Sequence, residues 1–256
     1  DRLPSGLHKI VPGLLIPAGM DRLWICSIGQ ARSSFRLPLK LAPFLDCARV
    51  QPQRKAAMSK IWFITGAGRG IGAYIALSAL EAGHRVVATG RRVKDLEAQF
   101  ADHGDRVLCL PLDVARESQS AEAVAQAIDR FGRIDVLVNN AGYGQLGLFE
   151  EVPSAAVEAQ FHTNVFGLMH VTRAALPHMR SQRRGHIFNL ASIGGFMGFA
   201  SSSIYCAAKF AVEGFSESLA LEVARFGIHV TVVEPGFFRT DFLDATSVRY
   251  GDTRIA

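Results

Sequence analysis

Tyr205 and Lys209 lie four positions apart in a stretch whose apolar pattern predicts a helix, so both side chains share one face of it. A tyrosine in water has a pKa near 10 and is a poor base at neutral pH. A neighbouring ammonium group favours the phenolate, and a shift of about three pKa units requires about 4 kcal/mol of differential stabilisation. The pair alone is a weak signal, but it predicts general acid/base chemistry if other residues complete a site.

Ser192 precedes Tyr205 by thirteen residues and directly follows an apolar run that predicts a strand. Its hydroxyl would lie at the carboxyl end of that strand, where it can donate a hydrogen bond to a substrate carbonyl oxygen on which charge develops. The run Asn139-Asn140-Ala141-Gly142 ends another predicted strand at the same edge, and Asn164 lies in the following helix. These positions predict a polar site at the carboxyl edge of a sheet.

A glycine-rich turn, TGAGRGIG at residues 65–72, joins the first predicted strand of the main domain to a helix. Glycines allow a tight turn and a close approach of phosphate to the backbone, and the helix N-terminus offers free N–H groups and a positive dipole end. The alternative is a plain tight turn. We predict that the turn binds a dinucleotide diphosphate through Gly66, Gly68, Arg69, Gly70, Ile71 and Gly72.

The end of the second predicted strand favours NADP(H) over NAD(H). An acidic residue about 20 positions after the glycines would hold a ribose 2′-hydroxyl. This chain has Arg91 and Arg92 there instead, and a guanidinium pairs with a 2′-phosphate through two hydrogen bonds. Arg69 could reach the same phosphate. The alternative for Arg91 and Arg92 is a solvated start of a helix.

Short apolar runs alternate with amphipathic stretches from Ile61 onward, which predicts an α/β fold with a parallel sheet and helices on both faces. The predicted strands are Ile61–Thr65, Arg85–Thr89, Arg106–Leu110, Val136–Val138, His186–Leu190 and His229–Glu234. The predicted helices are Gly70–Ala82, Val93–Ala101, Ser118–Phe131, Ala155–Met179 (divided near its start) and Ile204–Phe226. The expected architecture is a Rossmann-type doubly wound sheet of six strands, which binds nucleotides at its carboxyl edge.

Charge is concentrated in the first 57 residues. They hold 9 of the 28 Lys and Arg and 3 of the 23 Asp and Glu, which leaves 19 basic and 20 acidic residues in the rest. The basic pI therefore predicts no nucleic-acid surface on the main domain. No apolar run approaches the roughly 18 residues that span a membrane. Four cysteines without CxxC or metal-ligand spacing predict a reducing cytoplasm and no metal site.

Residues 1–57 form a leader that we expect to lie outside the domain, which occupies 58–256. The leader contains six prolines and no glutamate, and the pattern changes abruptly at Met58, where an apolar strand begins within a few residues. Three origins remain open: upstream sequence translated in frame before a start at Met58, a targeting peptide, or a small accessory segment. In each case we expect most of the leader to be poorly ordered.

Taken together, these motifs resemble the short-chain dehydrogenase/reductase family. The resemblance is carried by TGAGRGIG, NNAG at 139–142, Asn164, Ser192 and the YxxxK motif from Tyr205 to Lys209. Residues 235–240, PGFFRT, resemble the family's Pro-Gly motif after the sixth strand. The resemblance extends from about Met58 to the last residue and implies strand order 3-2-1-4-5-6, an oxidoreductase and, in the full-length protein, a homo-oligomer packed through the two long helices.

The resemblance also implies a role for each matching residue. Tyr205 would be the general acid/base, Lys209 would lower its pKa and hold the nicotinamide ribose, Ser192 would polarise the substrate, and Asn164 would hold a water that relays protons from Lys209. The cofactor would also contact Asp113 (at its adenine), Val114, Asn140, Ala141, Gly142, Pro235, Gly236 and Thr240. Asp113 could instead cap the next helix, and Asn164 could be an ordinary polar helix residue.

The loops after Ser192, Gly142 and Pro235 are apolar and aromatic, so we expect a hydrophobic ketone, aldehyde or secondary alcohol as substrate. The family continues beyond the point where this chain stops. We therefore expect the terminal seventh strand to be missing and the sixth strand to have an exposed edge. Two hypotheses remain: an NADP(H)-dependent reductase or dehydrogenase, and a non-catalytic, truncated NADP-binding relative.

Overall fold

The computed structural model of the 256-residue chain describes residues 59–236 and 248–251, together with the backbone of 20–25. Its strands are β1 (Met20–Ile25), β2 (Ile61–Thr65), β3 (Arg85–Gly90), β4 (Val107–Pro111), β5 (Val136–Asn139), β6 (Gly144–Leu146), β7 (Gly185–Leu190), β8 (Ile228–Pro235) and β9 (Val248–Tyr250). Its α-helices are α1 (Gly70–Glu81), α2 (Val93–Gln99), α3 (Glu117–Phe131), α4 (Ser154–Phe161), α5 (Gly167–Gln182) and α6 (Ser203–Val223).

Six of the strands form the predicted parallel sheet, in the order β4-β3-β2-β5-β7-β8. Counted from β2 as the first strand, this is the order 3-2-1-4-5-6, so the predicted α/β Rossmann-type fold is confirmed. The carboxyl ends of β2, β5, β7 and β8 lie along one edge, which brings the loops after Thr65, Asn139, Leu190 and Pro235 together.

The edge of β8 is occupied. The backbone of Met20–Ile25 pairs with it in parallel, from Met20 opposite Val230 to Ile25 opposite Pro235. The expectation of an exposed edge at the sixth strand is therefore wrong, because the unpaired N–H and C=O groups of β8 bind a strand from the leader. The other residues of the predicted leader lie outside the described part of the chain, so its proposed separation from the domain stays a prediction.

Hydrophobic cores cover both faces of the sheet, as the nearly continuous apolar strands predict. Successive residues of β2 point to opposite faces: Phe63 belongs to a core with α3, α5 and α6, and Ile64 to a core with α1 and α2. Each is fully buried. This packing fixes α1 and α6 against the sheet, and these two helices carry the glycine turn and the Tyr205–Lys209 pair.

A second, two-stranded parallel sheet lies at the carboxyl edge. In it β6, which follows Gly142 and Tyr143, pairs with β9 near the end of the chain. Gly251 extends the contact, because its N–H donates to the carbonyl of Leu146 at 2.8 Å. The late segment 248–251 is therefore held beside the NNAG loop.

Candidate active site

Tyr205 and Ser192 meet at the carboxyl edge of the sheet. Tyr205 lies in the first turn of α6, Ser192 follows β7, and a hydrogen bond joins their side chains. The Ser192 hydroxyl also accepts a hydrogen bond from the N–H of Gly194 at 3.1 Å. A Cβ atom on Gly194 would lie 3.3 Å from the Tyr205 ring, so a glycine leaves room for the ring beside this turn. The structure therefore unites two of the predicted catalytic groups.

Lys209 lies one helical turn after Tyr205 and is only 7% exposed. Its Nζ donates to the backbone carbonyl of Leu190 at 2.6 Å and lies 5.8 Å from the centroid of the Tyr205 ring. Leu190 is the last residue of β7 and stands two positions before Ser192. The hydrogen bond therefore fixes the ammonium group relative to both hydroxyls.

Burial controls the protonation of both groups. It raises the pKa of Tyr205 to about 12, the hydrogen bond with Ser192 opposes this shift, and the charge of Cys206 adds to it. It lowers the pKa of Lys209 to about 8, while the Glu213 carboxylate acts in the opposite direction. The net shift at Tyr205 is opposite to the expected one, because desolvation of the phenol outweighs the hydrogen bond with Ser192. At neutral pH the phenol is protonated, which is the form that a general acid needs.

Asn164 lies in a π-helical segment, His162–Phe166, which divides α4 from α5 near the predicted division. Its side chain binds the backbone of Tyr143: Oδ1 accepts from the N–H at 3.1 Å and Nδ2 donates to the carbonyl at 2.8 Å. A Cβ on Gly142 would lie 3.2 Å from the same Oδ1. The amide therefore anchors the loop after NNAG, and the water relay expected at Asn164 stays a prediction.

Hydrogen bonds from the loop after β5 hold the glycine turn in shape. The Asn140 Nδ2 donates to the carbonyls of Thr65 and Gly66 at 2.9 and 3.1 Å. The Thr65 hydroxyl accepts the N–H groups of Asn140 and Ala141, both at 2.9 Å. The Asn140 side chain, predicted to line the cofactor cleft, thus holds the turn in shape. Half-buried Ala141 and exposed Gly142 continue along this edge.

Within the turn, the predicted phosphate-binding residues begin α1. Gly66 and Gly70 have φ values of +65° and +52°, in the left-handed region that favours glycine. Gly68 and Arg69 are exposed, and Ile71 is half-buried against the core of α1 and α2. The turn therefore presents backbone rather than side chains at the N-terminus of α1, as phosphate binding requires.

The two neighbouring arginines after β3 differ in their contacts. Arg92 forms an ion pair with Asp95 of α2 at 2.8 Å, and both side chains are exposed. Arg91 is exposed too, and its charge acts on the hydroxyl of Tyr143. The charge of Arg91 therefore reaches Tyr143 after the NNAG loop, whereas Arg92 is tied to the helix.

Asp113 and Val114 follow β4 but differ in their surroundings. The Asp113 carboxylate accepts a hydrogen bond from the N–H of Ala115 at 3.1 Å, which closes a local turn. It does not cap α3, whose N-cap position is Arg116. Val114 is 5% exposed and packs so tightly that a Cβ on Gly167 would come within 2.6 Å of it. A cofactor contact at Val114 would therefore have to involve its backbone.

The Pro-Gly motif lies only partly within the described structure. Pro235 ends β8 and Gly236 follows it, both half-buried at the carboxyl edge. Thr240, with its predicted nicotinamide contact, lies outside the described residues, as do Phe237, Phe238 and Arg239.

Two features escaped the sequence analysis. The Arg249 guanidinium of β9 lies 4.5 Å from the centre of the Tyr143 ring, in a cation–π contact that no local pattern could indicate. The Tyr143 hydroxyl is buried without a hydrogen-bond partner among the described residues. Glu213 is the other omission. Its i+4 spacing from Lys209 was a usable signal, but a glutamate on a helix is usually solvated.

The described part of the chain shows neither a membrane-spanning helix nor a metal-binding cluster. No helix of the described ranges is both long and apolar enough to cross a membrane. Over the same ranges, no group of three or more His, Cys, Asp and Glu residues is arranged to hold a metal ion.

Residues 60–250 match the family model described as short chain dehydrogenase. An oxidoreductase of Botryotinia fuckeliana is 46% identical over 72% of this chain and 68% of its own. A 3-ketodihydrosphingosine reductase of Bacteroides thetaiotaomicron is 43% identical, with 74% and 68% covered. Human retinol dehydrogenase 8 is 38% identical, with 73% of this chain and 61% of that protein covered.

Two similar solved structures contain different cofactors. ElxO with NADP bound is 35% identical, with a TM-score of 0.69 over 73% of this chain and 77% of that one. A short-chain dehydrogenase/reductase of Burkholderia phymatum in complex with NAD is 30% identical, with a TM-score of 0.70 over 73% and 69%. Both share the fold described above.

Proposed function

Because the chain belongs to the short-chain dehydrogenase family, we propose that it transfers a hydride between NADP(H) and an apolar carbonyl compound or secondary alcohol. Its relatives are named oxidoreductases, reductases and dehydrogenases. The observation that carries the proposal is the hydrogen bond between Ser192 and a protonated Tyr205, with the Lys209 ammonium group fixed behind them.

Each residue of this group has a task in carbonyl reduction. The nicotinamide, when bound, supplies the hydride to the carbonyl carbon. Ser192 donates a hydrogen bond to the carbonyl oxygen as it becomes negative. Tyr205 transfers its phenolic proton to that oxygen, and the positive charge of Lys209 stabilises the resulting phenolate. In the reverse direction the phenolate accepts the alcohol proton.

The residues fit a dinucleotide at the glycine turn. Gly66 and Gly70 keep this backbone free of Cβ atoms in a conformation that few other residues adopt, and Asn140 and Thr65 hold its shape. Gly66, Gly68, Arg69, Gly70, Ile71 and Gly72 would contact the diphosphate at the start of α1. Asp113, beyond β4, remains our candidate for the adenine.

Arg91 would select NADP(H). We expect Arg91→Asp to shift the ratio of kcat/KM values from NADPH toward NADH by about 10- to 100-fold, since a charge-assisted hydrogen bond contributes about 1.5–3 kcal/mol. Arg92→Asp is the matched control, because it makes the same charge change at a residue paired with Asp95 and places aspartate at a favoured N-cap position. Equal ratios for Arg91→Asp and the wild type would show that the 2′-phosphate binds elsewhere.

Apolar substrates fit the surface beside Ser192. Phe196 and Met197, just after the Ser192 turn, are 55% and 44% exposed, and such apolar exposure beside a polar group is typical of a ligand site. Two relatives are named for 3-ketodihydrosphingosine and retinol, which are largely hydrocarbon. We therefore place the substrate among hydrophobic ketones, aldehydes and secondary alcohols.

The test is NADPH oxidation against carbonyl compounds of graded size and charge, with NADPH binding followed by fluorescence. We expect turnover to increase with apolar surface and to be lowest for charged carbonyls. Binding of NADPH without turnover of any carbonyl or alcohol would contradict the proposal and favour the non-catalytic NADP-binding relative.

Self-association through the long helices stays a prediction. Phe166, directly before α5, and Phe210 on α6 are 43% and 47% exposed, and such large apolar side chains favour a protein contact. Sedimentation velocity over a range of concentrations would detect a dimer or tetramer.

A further inference from the structure

Glu213 is a buried carboxylate on the face of α6 that carries Lys209. It lies one helical turn after the lysine, so the two side chains are neighbours on the helix. The whole residue is only 8% exposed, and both of its carboxylate oxygens are buried. A charged residue in such a place costs folding free energy unless another group compensates for it. A buried carboxylate beside the candidate site therefore needs an interaction that offsets the cost of its burial.

The Glu213 side chain packs against the turn that begins at Ser192. A Cβ on Gly195 would lie 3.2 Å from both Cγ and Oε1 of Glu213, and 3.1 Å from the carbonyl of Lys209. Gly195 itself is buried and ends the short 3₁₀ helix that Ser192 caps. The carboxylate therefore lies between α6 and the Ser192 turn, in contact with the segment that holds the substrate-facing hydroxyl.

Two elements supply the described contacts of Lys209, its own helix α6 and the end of β7. From its own helix it meets Tyr205, and Cys206 stands beside that phenol; from β7 it meets the Leu190 carbonyl. Burial lowers the pKa of Lys209 to about 8, and the charge of Glu213 raises it. Among the described groups that act on this ammonium ion, the Glu213 carboxylate is thus the opposing charge.

We propose that Glu213 is a positioning residue that helps to keep Lys209 protonated near neutral pH and seats it against the Ser192 turn. The inference rests on the proposed function, because it assigns Glu213 a task through Lys209. A neutral Lys209 amine would not stabilise a phenolate at Tyr205, and it would donate only an uncharged, weaker hydrogen bond to the nicotinamide ribose that it is expected to hold. An ammonium ion buried without a counter-charge tends to lose its proton.

The experiment compares the pH dependence of the wild type, Glu213→Gln and Glu213→Asp between about pH 7 and 10. NADPH affinity is measured by fluorescence titration, and kcat for carbonyl reduction is measured where a substrate is turned over. Removing one opposite charge from a low-dielectric site shifts a pKa by about one to two units. We therefore expect the alkaline fall in affinity and kcat to move to lower pH by about that amount in Glu213→Gln, and by less in Glu213→Asp.

Glu222→Gln is the matched control, because it makes the same change at an exposed position near the end of α6. Its pH profile should coincide with that of the wild type. If Glu213→Gln does not fold, Glu213→Asp serves as the test. Its side chain is one methylene group shorter, so the carboxylate lies farther from Lys209. Profiles of the folded Glu213 variants that coincide with the wild type would overturn the proposal.

Failure of this inference is distinguishable from failure of the proposed function. Wild-type turnover that is lost in Tyr205→Phe, together with unshifted Glu213 profiles, would remove the role of Glu213 alone. Absence of turnover in the wild type would remove the proposed function. The NADPH affinity profiles would then still decide whether Glu213 controls the charge of Lys209.

Discussion

Replacement of Tyr205 by phenylalanine is expected to lower kcat about a thousandfold or more, while the Kd for NADPH changes by less than about threefold. The variant removes the proton donor but keeps the ring that packs beside Gly194. General acid catalysis contributes roughly 10²–10⁴-fold to such reactions. The buried phenol has a pKa of about 12, so it holds its proton at neutral pH until the substrate oxygen becomes basic.

Tyr74→Phe provides the matched control, since Tyr74 lies on α1 with 70% of its surface exposed. It should leave both kcat and NADPH affinity unchanged. The measurements are NADPH oxidation under saturating substrate and fluorescence titration of the cofactor. If Tyr205→Phe retained a tenth or more of the wild-type kcat, another group would have to donate the proton.

Gly72→Ala is the second substitution with a large expected effect. A Cβ at this position would lie 2.4 Å from both the Nδ2 of Asn140 and the carbonyl oxygen of Gly66. Neither atom can give way cheaply, because Asn140 bonds to the carbonyls of Thr65 and Gly66, which form the turn. We expect NADPH affinity to fall at least about 100-fold as the turn is displaced, with a loss of stability of about 1–3 kcal/mol from overpacking.

Gly214→Ala is the control for this prediction. Gly214 lies in the middle of α6, and a Cβ there would meet nothing within 4 Å. Alanine is favoured over glycine inside a helix by about 1 kcal/mol, so this variant should bind NADPH normally and unfold at a slightly higher temperature. Cofactor affinity and thermal unfolding are measured for both variants. Normal NADPH binding by Gly72→Ala would mean that the turn does not form the diphosphate site.

The strands could be predicted from the sequence because their causes are local, whereas their order in the sheet followed from the resemblance to the family. Buried runs such as Ile61–Thr65 and Val136–Val138 are recognisable from composition, and right-handed crossovers with family-like motifs leave few arrangements. The strand Met20–Ile25 was missed because its pairing with β8 depends on an edge two hundred residues away along the chain. The distortion at His162–Phe166 was anticipated only as a division of one long helix.

The sequence predicted which residues form the candidate site, but it predicted their contacts less well. The spacing of Tyr205 and Lys209 on one helix and the position of Ser192 after a predicted strand placed all three at one edge of the sheet, and the structure brings them together. The side-chain amides of Asn140 and Asn164 bind backbone groups of Thr65 and Tyr143 instead of facing an open cleft. They do so because these loops offer hydrogen-bonding groups at the right distance. Such partners lie 21 to 75 residues away, so no periodic pattern reveals them.

By itself, the sequence determined the kind of chemistry: a phosphate-binding turn, a Tyr–Lys pair on one helix face and a serine at a strand end. These are properties of residue type and short spacing. Only the tertiary structure decided the protonation states, since the pKa of Tyr205 rises and that of Lys209 falls through burial under elements distant in sequence. It also placed Glu213 beside the Ser192 turn, because desolvation and contact arise only when α6 packs on the sheet.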